Sequence, residues 1–462
     1  MIWGNLNNLN EKNKNKSEIL PGQSIDRRHN EDRRHQADRR QGDRRQNELQ
    51  DIKSKLHQEV INKIDVDLLV KFDSETARRE VSKIILDLVN ESDFPLNIPE
   101  KKQITEEVVD ETFGLGPLEP LLQDKTIDDI LVNNYNTVFI ERRGKLETTN
   151  VRFKDNTHLR HIINRIVARV GRRIDEASPM VDARLPDGSR VNAIIPPLAL
   201  DGPSLCIRRF KEVPLRGEDL IEYGSMSKEI LFLMQVAVKS RLNILIAGGT
   251  GSGKTTLLNI LSGYIPDNER IITVEDAAEL QLQQSHVIRL ETRPANMEGK
   301  GLVTQRDLVK NCLRMRPDRI ILGEVRGVEA LDMLQAMNTG HDGSITTVHS
   351  NSARDALSRL ETMILMTNAN MSPLAINRQI ASALQLIIYA RRFSDGVRRV
   401  ESISEITGME GNTITMQEIV SFVQKGVSEN GECLGGFELR AVKPKFLDKA
   451  RLLGIAGIAN PA

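Results

Sequence analysis

The sequence predicts an α/β protein: a parallel-sheet domain in the C-terminal half, an α+β module before it, a small helical domain before that, and a polar tail at the N-terminus. Three observations predict this. A glycine-rich stretch, GGTGSGKTT from Gly248 to Thr256, follows the apolar run NILIA and leads into the helical pattern TTLLNILSGYI. From about residue 226, apolar strand runs alternate with helical periods, as in a parallel sheet built from βαβ units. Before that point the periodicity is helical from about 49 to 112 and strand-like from about 126 to 212.

The elements follow in chain order. Residues 1–48 are polar and repetitive, with Asp-Arg-Arg recurring at Asp26, Asp32, Asp38 and Asp43. Eight arginines face five acidic residues between Asp26 and Arg45. So few apolar residues cannot build a core, and the tail is expected to be disordered. It is either a solvated, self-neutralising segment or a contact for an anionic lipid surface or RNA. Residues 49–112 carry EVINKIDVDLLVKF, ARREVSKIILDLVN and KKQITEEVVDETF, with ESDFPLNIPE as the break before the last. They read as a helical domain with charged outer faces, and GLGPLEPLL marks its end. Residues 113–225 alternate as strands in DDILVNN, TVFIERRGKLETT, RVNAIIPPLAL and SLCIRRF, with the helix HLRHIINRIVARVGR among them. Residues 226–462 form the parallel-sheet domain.

Composition excludes several classes. The chain of 462 residues is 39% hydrophobic and 28% charged with a formal net charge of +0, so no basic field points to nucleic acid. Aromatics make up only 3%, too few for a base-stacking platform. Cys206, Cys312 and Cys433 lie far apart with no CxxC pair, which argues against a disulfide framework and a structural zinc site. No apolar run reaches the roughly 18–20 residues of a spanning helix. The start, MIWGNLNNLNEKNKNK, lacks the apolar stretch of a signal peptide. A cytoplasmic location is expected, with any membrane association peripheral.

The glycine-rich stretch carries the chemistry. Gly248, Gly253, Lys254 and Thr255 satisfy G-x-x-x-x-G-K-[ST] between a strand and a helix, the context the motif requires. Gly248, Gly249, Thr250, Gly251, Ser252 and Gly253 would turn backbone N–H groups inward around a nucleotide phosphate, aided by the positive end of the following helix. Lys254 would reach the β- and γ-phosphates, the Thr255 hydroxyl would ligate Mg²⁺, and Thr256 completes the loop. Because Lys254 acts on ligand charge, it is expected to face solvent when no nucleotide is present.

Hydrolysis also needs a carboxylate beside the metal and the water. Glu324 ends the run DRIILGE, and Glu275 lies in RIITVEDAAEL, followed by Asp276. Both glutamates fall where a parallel sheet presents residues at its ligand-binding edge. Glu324 is assigned to polarising the attacking water and to the Mg²⁺ shell. Glu275 is assigned to orienting water or metal from the next strand. His349, in GSITTVHSNS, ends another short apolar strand and is read as a sensor of the γ-phosphate, although such a histidine is often structural.

Together these stretches resemble the secretion-type AAA-related ATPases of type II and type IV secretion and pilus assembly. GGTGSGKTT is similar to their Walker A loop, ITVEDAAEL to their acidic box, RPDRIILGEVRG to their Walker B, and AMNTGHDGSITTVHSNS to their glycine-rich segment and histidine box. LPDGSRVNAIIPPLALDGPSLCIRRF, RLETRPANMEGKG and SISEITGMEGNTITMQEI resemble the CpaF/TadA branch that drives Flp/Tad pilus assembly. The likeness runs from about Phe113 to Val423. The tetracysteine zinc module of some branches is missing, the acidic box reads EDAAE rather than EDPxE, and the Asp-Arg-Arg tail lies outside the family pattern.

The resemblance implies a RecA-like P-loop ATPase domain and a homo-hexameric ring. It also implies arginines of the preceding module reaching the phosphates; Arg190, Arg208 and Arg209 are the candidates. The expected function is Mg²⁺-dependent ATP hydrolysis that moves inner-membrane pilus or secretion platform proteins, with the motor peripheral at the inner membrane and no direct nucleic-acid contact. A conjugation-type or DNA-translocating ring ATPase is the alternative. A nucleotide switch without turnover and a small-molecule kinase are the readings from other classes.

Overall fold

The computed structural model describes residues 74–455 except 93, 143, 211–214, 294, 296–299 and 368–370, together with scattered residues between 49 and 60. The expected disordered tail, residues 1–48, and most of EVINKIDVDLLVKF lie outside the described residues. The chain divides into two compact units, 1–119 and 120–462.

In the first unit, helices α1 (Ser74–Glu91) and α2 (Ile98–Phe113) pack on each other. Val81, Ile85, Leu88 and Val89 repeat at helical spacing and bury against Ile104, Val108 and Val109, with Ile52, Leu56 and Val60 joining them. Each such side chain contributes about 1.5–3 kcal/mol on leaving water. The break between the helices is chemical. Asn97 caps α2 by accepting from the Glu100 N–H at 2.8 Å, Glu100 accepts from the Asn97 N–H at 2.9 Å, and Pro99 sits in the first turn, where its missing N–H costs nothing.

A short helix, α3 (Glu119–Gln123), crosses the division in the chain, and the second unit continues into a six-stranded antiparallel sheet. Its strands are β1 (Ile127–Asn134), β2 (Thr137–Arg142), β3 (Lys145–Thr148), β4 (Met180–Arg184), β5 (Arg190–Ile194) and β6 (Ser204–Arg208), in the order β3-β2-β1-β6-β5-β4. Between β3 and β4 runs α4 (Asn156–Arg169), capped by Asp155 and burying Leu159, Ile162, Ile163, Ile166 and Val167. Every strand and the helix expected here are present, as an α+β module.

The larger sheet follows. Its elements are α5 (Gly217–Glu222), α6 (Lys228–Lys239), β7 (Ile244–Gly248), α7 (Lys254–Ser262), β8 (Ile271–Glu275), β9 (Val287–Glu291), α8 (Gln305–Cys312), β10 (Arg319–Val325), α9 (Glu329–Asn338), β11 (Ile345–His349), α10 (Ala353–Leu365), α11 (Pro373–Ala383), β12 (Leu386–Arg392), β13 (Arg398–Glu410), β14 (Thr413–Val427), β15 (Cys433–Leu439) and α12 (Phe446–Leu452). The order is β15-β14-β13-β12-β7-β11-β10-β8-β9. From β12 to β9 neighbouring strands are parallel, as the βαβ pattern predicts. β7 and β8 are buried along their whole length because helices cover both faces. Leu245 and Ala247 join the apolar layer beneath α8 to α11; Ile244 and Ile246 join the layer beneath α6 and α7.

A purely parallel domain is the part of the expectation that needs correction. Strands β13 to β15 are antiparallel to their neighbours and extend the sheet beyond β12. Two residues, Gly411 and Asn412, join β13 to β14, too few for a parallel crossover but enough for a hairpin.

Candidate active site

At the carboxyl edge of the parallel strands, Gly248 of β7 lies in register with His349 of β11 on one side and Ala390 of β12 on the other. The chain leaves β7 through the glycine-rich loop and enters α7 at Lys254. Two glycines are required by geometry. A Cβ on Gly248 would overlap the Ala390 carbonyl, and Gly253 holds the left-handed φ of +91° from which α7 begins. Ser252 is buried and its hydroxyl donates to the Gly249 carbonyl at 2.9 Å. Thr250 and Gly251 are exposed at the loop tip, while Gly249, Thr255 and Thr256 are half-buried.

Lys254 is only 7% exposed, not solvent-facing as expected. Its Nζ donates to the Gly249 carbonyl at 2.9 Å and stands 3.3 Å from His349 Nδ1. The loop curls over the ammonium group and supplies a carbonyl partner, so the side chain folds inward. Burial, the largest cause, pulls its pKa below the usual lysine range, with Glu324 acting against that shift.

His349 and Glu324 complete the group. Burial first and the Lys254 charge second lower the His349 pKa, which leaves the ring neutral at pH 7. A neutral ring protonated on Nε2 can accept from Lys254 at Nδ1. His349 Nε2 lies 2.9 Å from Glu324 Oε1, an ion-pair distance but off the line of a hydrogen bond, so among the described residues that buried oxygen has no aligned donor. The other oxygen, Oε2, accepts from Arg326 Nε at 2.8 Å and lies 2.6 Å from Arg326 Nη2. Arg326 Nη1 reaches Asp276 Oδ2 at 3.2 Å.

Glu275 is 3% exposed. Its Oε2 accepts the N–H groups of Glu279 (2.8 Å) and Leu280 (2.9 Å), which fixes the turn after β8. Its Oε1 is buried without a hydrogen-bond partner among the described residues. Burial raises this carboxyl above the usual range, opposed by the two amides. Half of the carboxylate thus holds the backbone, and the other half is unengaged.

Arg190 and Arg208 lie on strands of the smaller sheet, and Arg209 directly follows the end of β6. Arg190 is in register with Arg208 and with Arg184, so an arginine row crosses β4, β5 and β6. Arg208 Nε donates to Asp129 at 3.3 Å, and Arg209 donates to the Asp124 carbonyl. None of the three has a described hydrogen bond or ion pair to the glycine-rich loop among the described residues.

Other residues make links that the sequence reading did not identify. Arg184 donates to the Ala278 carbonyl at 2.6 Å and pairs with Glu291 at 3.1 Å, tying β4 to the turn that Glu275 holds. Arg398 of β13 donates to the Gly251 carbonyl at 2.9 Å and stands 3.6 Å from Glu141 of β2. The run RRFSDGVRR carried a turn signal, but only strand pairing brings Arg398 to the loop. Arg326 sat beside Glu324 in GEVRG and was legible only as a neighbour of the acid.

A glycine cradle with an ammonium at its base suits a phosphate, and a carboxylate oxygen free of aligned donors lies beside it. The sequence pattern of the type II/IV secretion system protein family matches residues 111–425. The chain is similar to a Mycobacterium tuberculosis (strain CDC 1551 / Oshkosh) protein provisionally named for conjugal transfer: 36% identical over 330 residues, covering 70% of this chain and 93% of that one. It is also similar to the type IV secretion system protein PtlH of Bordetella pertussis (strain Tohama I), 35% identical over 315 residues, covering 62% and 92%. Among solved structures, the VirB11 ATPase of the Brucella suis type IV secretion system, in complex with sulphate, aligns at 29% identity over 65% of this chain and 98% of that one, with a TM-score of 0.36.

Proposed function

The chain belongs to the type II/IV secretion system protein family, and on that premise we propose that it is an Mg²⁺-dependent ATPase whose product is motion. The observation that carries this reading is the meeting of Lys254, His349 and Glu324 beside the glycine-rich loop, with one Glu324 oxygen facing His349 and without an aligned donor among the described residues. The N–H groups of residues 248–254 wrap the terminal phosphates, and Lys254 exchanges its Gly249 carbonyl for phosphate oxygens. Thr255 and Glu324 supply the hydroxyl and carboxylate that would hold Mg²⁺, an oxygen donor set suited to that ion. An ion held by these residues would neutralise charge on the β- and γ-phosphates. Water attacks the γ-phosphorus, the bond to the β,γ-bridging oxygen breaks, and Glu324 takes the water proton. His349 senses the γ-phosphate from the neighbouring strand, and Glu275 offers Oε1 to water. Arg190 and Arg208 bring charge from the smaller sheet; Arg209 can follow only by giving up its carbonyl partner.

In this reading the domains are a tail (1–48), a helical domain (49–112), the α+β module (113–225) and the motor (226–462). Six copies form a ring at the cytoplasmic face of the inner membrane and act on platform proteins there. No helix among the described residues is long and apolar enough to cross a membrane, which is compatible with a peripheral attachment. The stretches resembling the CpaF/TadA branch favour Flp/Tad pilus assembly. The names of the Mycobacterium and Bordetella relatives favour a second reading, a conjugation or type IV secretion motor.

Phosphate release and nucleotide binding test the enzymatic reading. Lys254→Ala is expected to abolish turnover. Glu324→Gln is expected to bind ATP while losing about 10²–10⁴-fold in kcat, the usual contribution of a general base. Wild-type turnover in either variant would refute the site. Loss of surface pili on gene deletion supports the pilus reading; hydrolysis stimulated by DNA supports the other.

A further inference from the structure

We propose that Arg326 is a positioning residue for Glu324: it holds one carboxylate oxygen and so turns the other toward His349 at the phosphate site. This rests on the reading of Glu324 as the base.

The geometry is built in three steps. Glu329, 7% exposed, accepts the N–H of Arg326 at 2.6 Å and that of Gly327 at 2.8 Å, so the backbone after β10 is pinned by a side chain of α9. From that backbone the guanidinium turns back. Nε and Nη2 both meet Glu324 Oε2, at 2.8 and 2.6 Å. Nη1 spans to Asp276 beyond the end of β8, at 3.2 Å.

Both contacts to Glu324 fall on the same oxygen, which has a chemical consequence. Oε2 is engaged, whereas Oε1 is buried without an aligned donor and points toward His349 Nε2, 2.9 Å away. His349 Nδ1 in turn stands 3.3 Å from the Lys254 ammonium. The oxygen that Arg326 does not hold is therefore the one on the phosphate-loop side. A carboxylate without Arg326 could rotate about its last torsion, which has a broad energy surface, and present neither oxygen consistently. Arginine suits the task because its planar guanidinium brings two nitrogens onto one oxygen while the third reaches Asp276, which sets where that oxygen sits; a lysine would supply only a point charge. Asp276 anchors the far nitrogen. Asp276 also accepts, more distantly, from the Thr292 hydroxyl at 3.4 Å.

The test compares Arg326→Gln, Arg326→Lys and Asp276→Asn in the full chain. The measurements are steady-state phosphate release, direct binding of a fluorescent ATP analogue, and thermal melting. Arg326→Gln is expected to lower kcat about 10–100-fold, as loss of a supporting partner does at other sites. KM and analogue affinity should stay within about threefold, because the contact acts on the base and not on bound nucleotide. Arg326→Lys should fall between wild type and Arg326→Gln. Asp276→Asn should lose less than Arg326→Gln, since it removes only the anchor. Placed in a Glu324→Gln background, Arg326→Gln should cost nothing further in kcat, because it acts through that carboxylate. A wild-type kcat in both Arg326 variants, or an undiminished loss in the Glu324→Gln background, overturns the proposal. If Arg326→Gln does not fold, Arg326→Lys decides: an unchanged kcat there overturns the forked contact. Full activity of Glu324→Gln would instead remove the reading on which the proposal rests.

Discussion

Arg319 is fully buried in β10, and Nε, Nη1 and Nη2 of its guanidinium all have partners. Nε and Nη2 meet Glu269 at 2.6 and 3.2 Å, Nη1 meets the Gly343 carbonyl at 3.1 Å, and Nη2 meets the Val238 carbonyl at 3.0 Å. A buried charge is tolerable only when satisfied in this way. The opposing Gly343 has φ +87°, and a Cβ there would overlap the guanidinium. Gly343→Ala is therefore expected to destabilise the fold by roughly 2–5 kcal/mol, combining the left-handed φ with overpacking against a bolt that cannot move. Urea unfolding measures this; an unchanged midpoint would mean that Arg319 relaxes freely. The same strand carries Glu324 and leads into Arg326, so a slack bolt should also lower turnover.

Among the elements, the hairpin between β12 and β13 shows how a turn beside the site is held. Asp395 accepts both Nη groups of Arg399, at 3.0 and 2.7 Å, and the N–H groups of Val397 (2.9 Å) and Cys433 (3.1 Å). Those contacts, Arg399 foremost, lower its pKa to about 2. A carboxylate with a depressed folded pKa stabilises the protein above its unfolded pKa, and that contribution is lost as pH falls through the folded one. Asp395→Asn is thus expected to lower stability clearly at pH 7 and by less at pH 3, inside the window between about 2 and the ordinary aspartate value near 3.8. Equal losses at the two pH values would show that the charge is not what holds the turn. Because β13 also carries Arg398 to the Gly251 carbonyl, loosening this hairpin should raise KM for ATP at neutral pH.

For the molecule as a whole, the question is whether the smaller sheet and the motor complete a site within one chain or between chains. Arg184 ties β4 to the turn after β8 within the chain, while Arg208 is paired with Asp129. The Arg208 side chain is 60% exposed against 17% for Asp129, and with the guanidinium largely in water the pair is a weak one that need not keep the arginine from a phosphate. If the ring reading holds, specific activity should rise with protein concentration across the range of oligomerisation. A non-hydrolysable ATP analogue should favour the oligomer. Arg208→Ala should depress kcat more than ATP affinity, because the charge it meets grows as the γ-phosphate leaves. Mixing Arg208→Ala with Lys254→Ala should restore part of the activity if the two residues come from different chains. Light scattering beside phosphate release reads both; a fully active monomer would refute the interface and leave the hydrolysis reading standing.

By itself the sequence determined the two long helices of the helical unit, the helix and all strands but β4 of the smaller sheet, the strand and helix flanking the glycine-rich loop, and the meeting of Lys254, Glu324 and His349 at one edge. These are legible because period, caps and glycine punctuation act over a few residues, and because parallel strands deliver their carboxyl ends to the same side. Only the tertiary structure decided that Lys254 folds inward onto the Gly249 carbonyl, that Glu275 spends one oxygen on the turn after it, and that Arg184, Arg326 and Arg398 reach into the site region. The same holds for the antiparallel extension β13 to β15, since alternation marks a strand without naming its neighbour. Those outcomes depend on partners far away in sequence. Arg398 and Gly251 are 147 residues apart, and no local pattern encodes that a guanidinium and a carbonyl will meet once nine strands have paired.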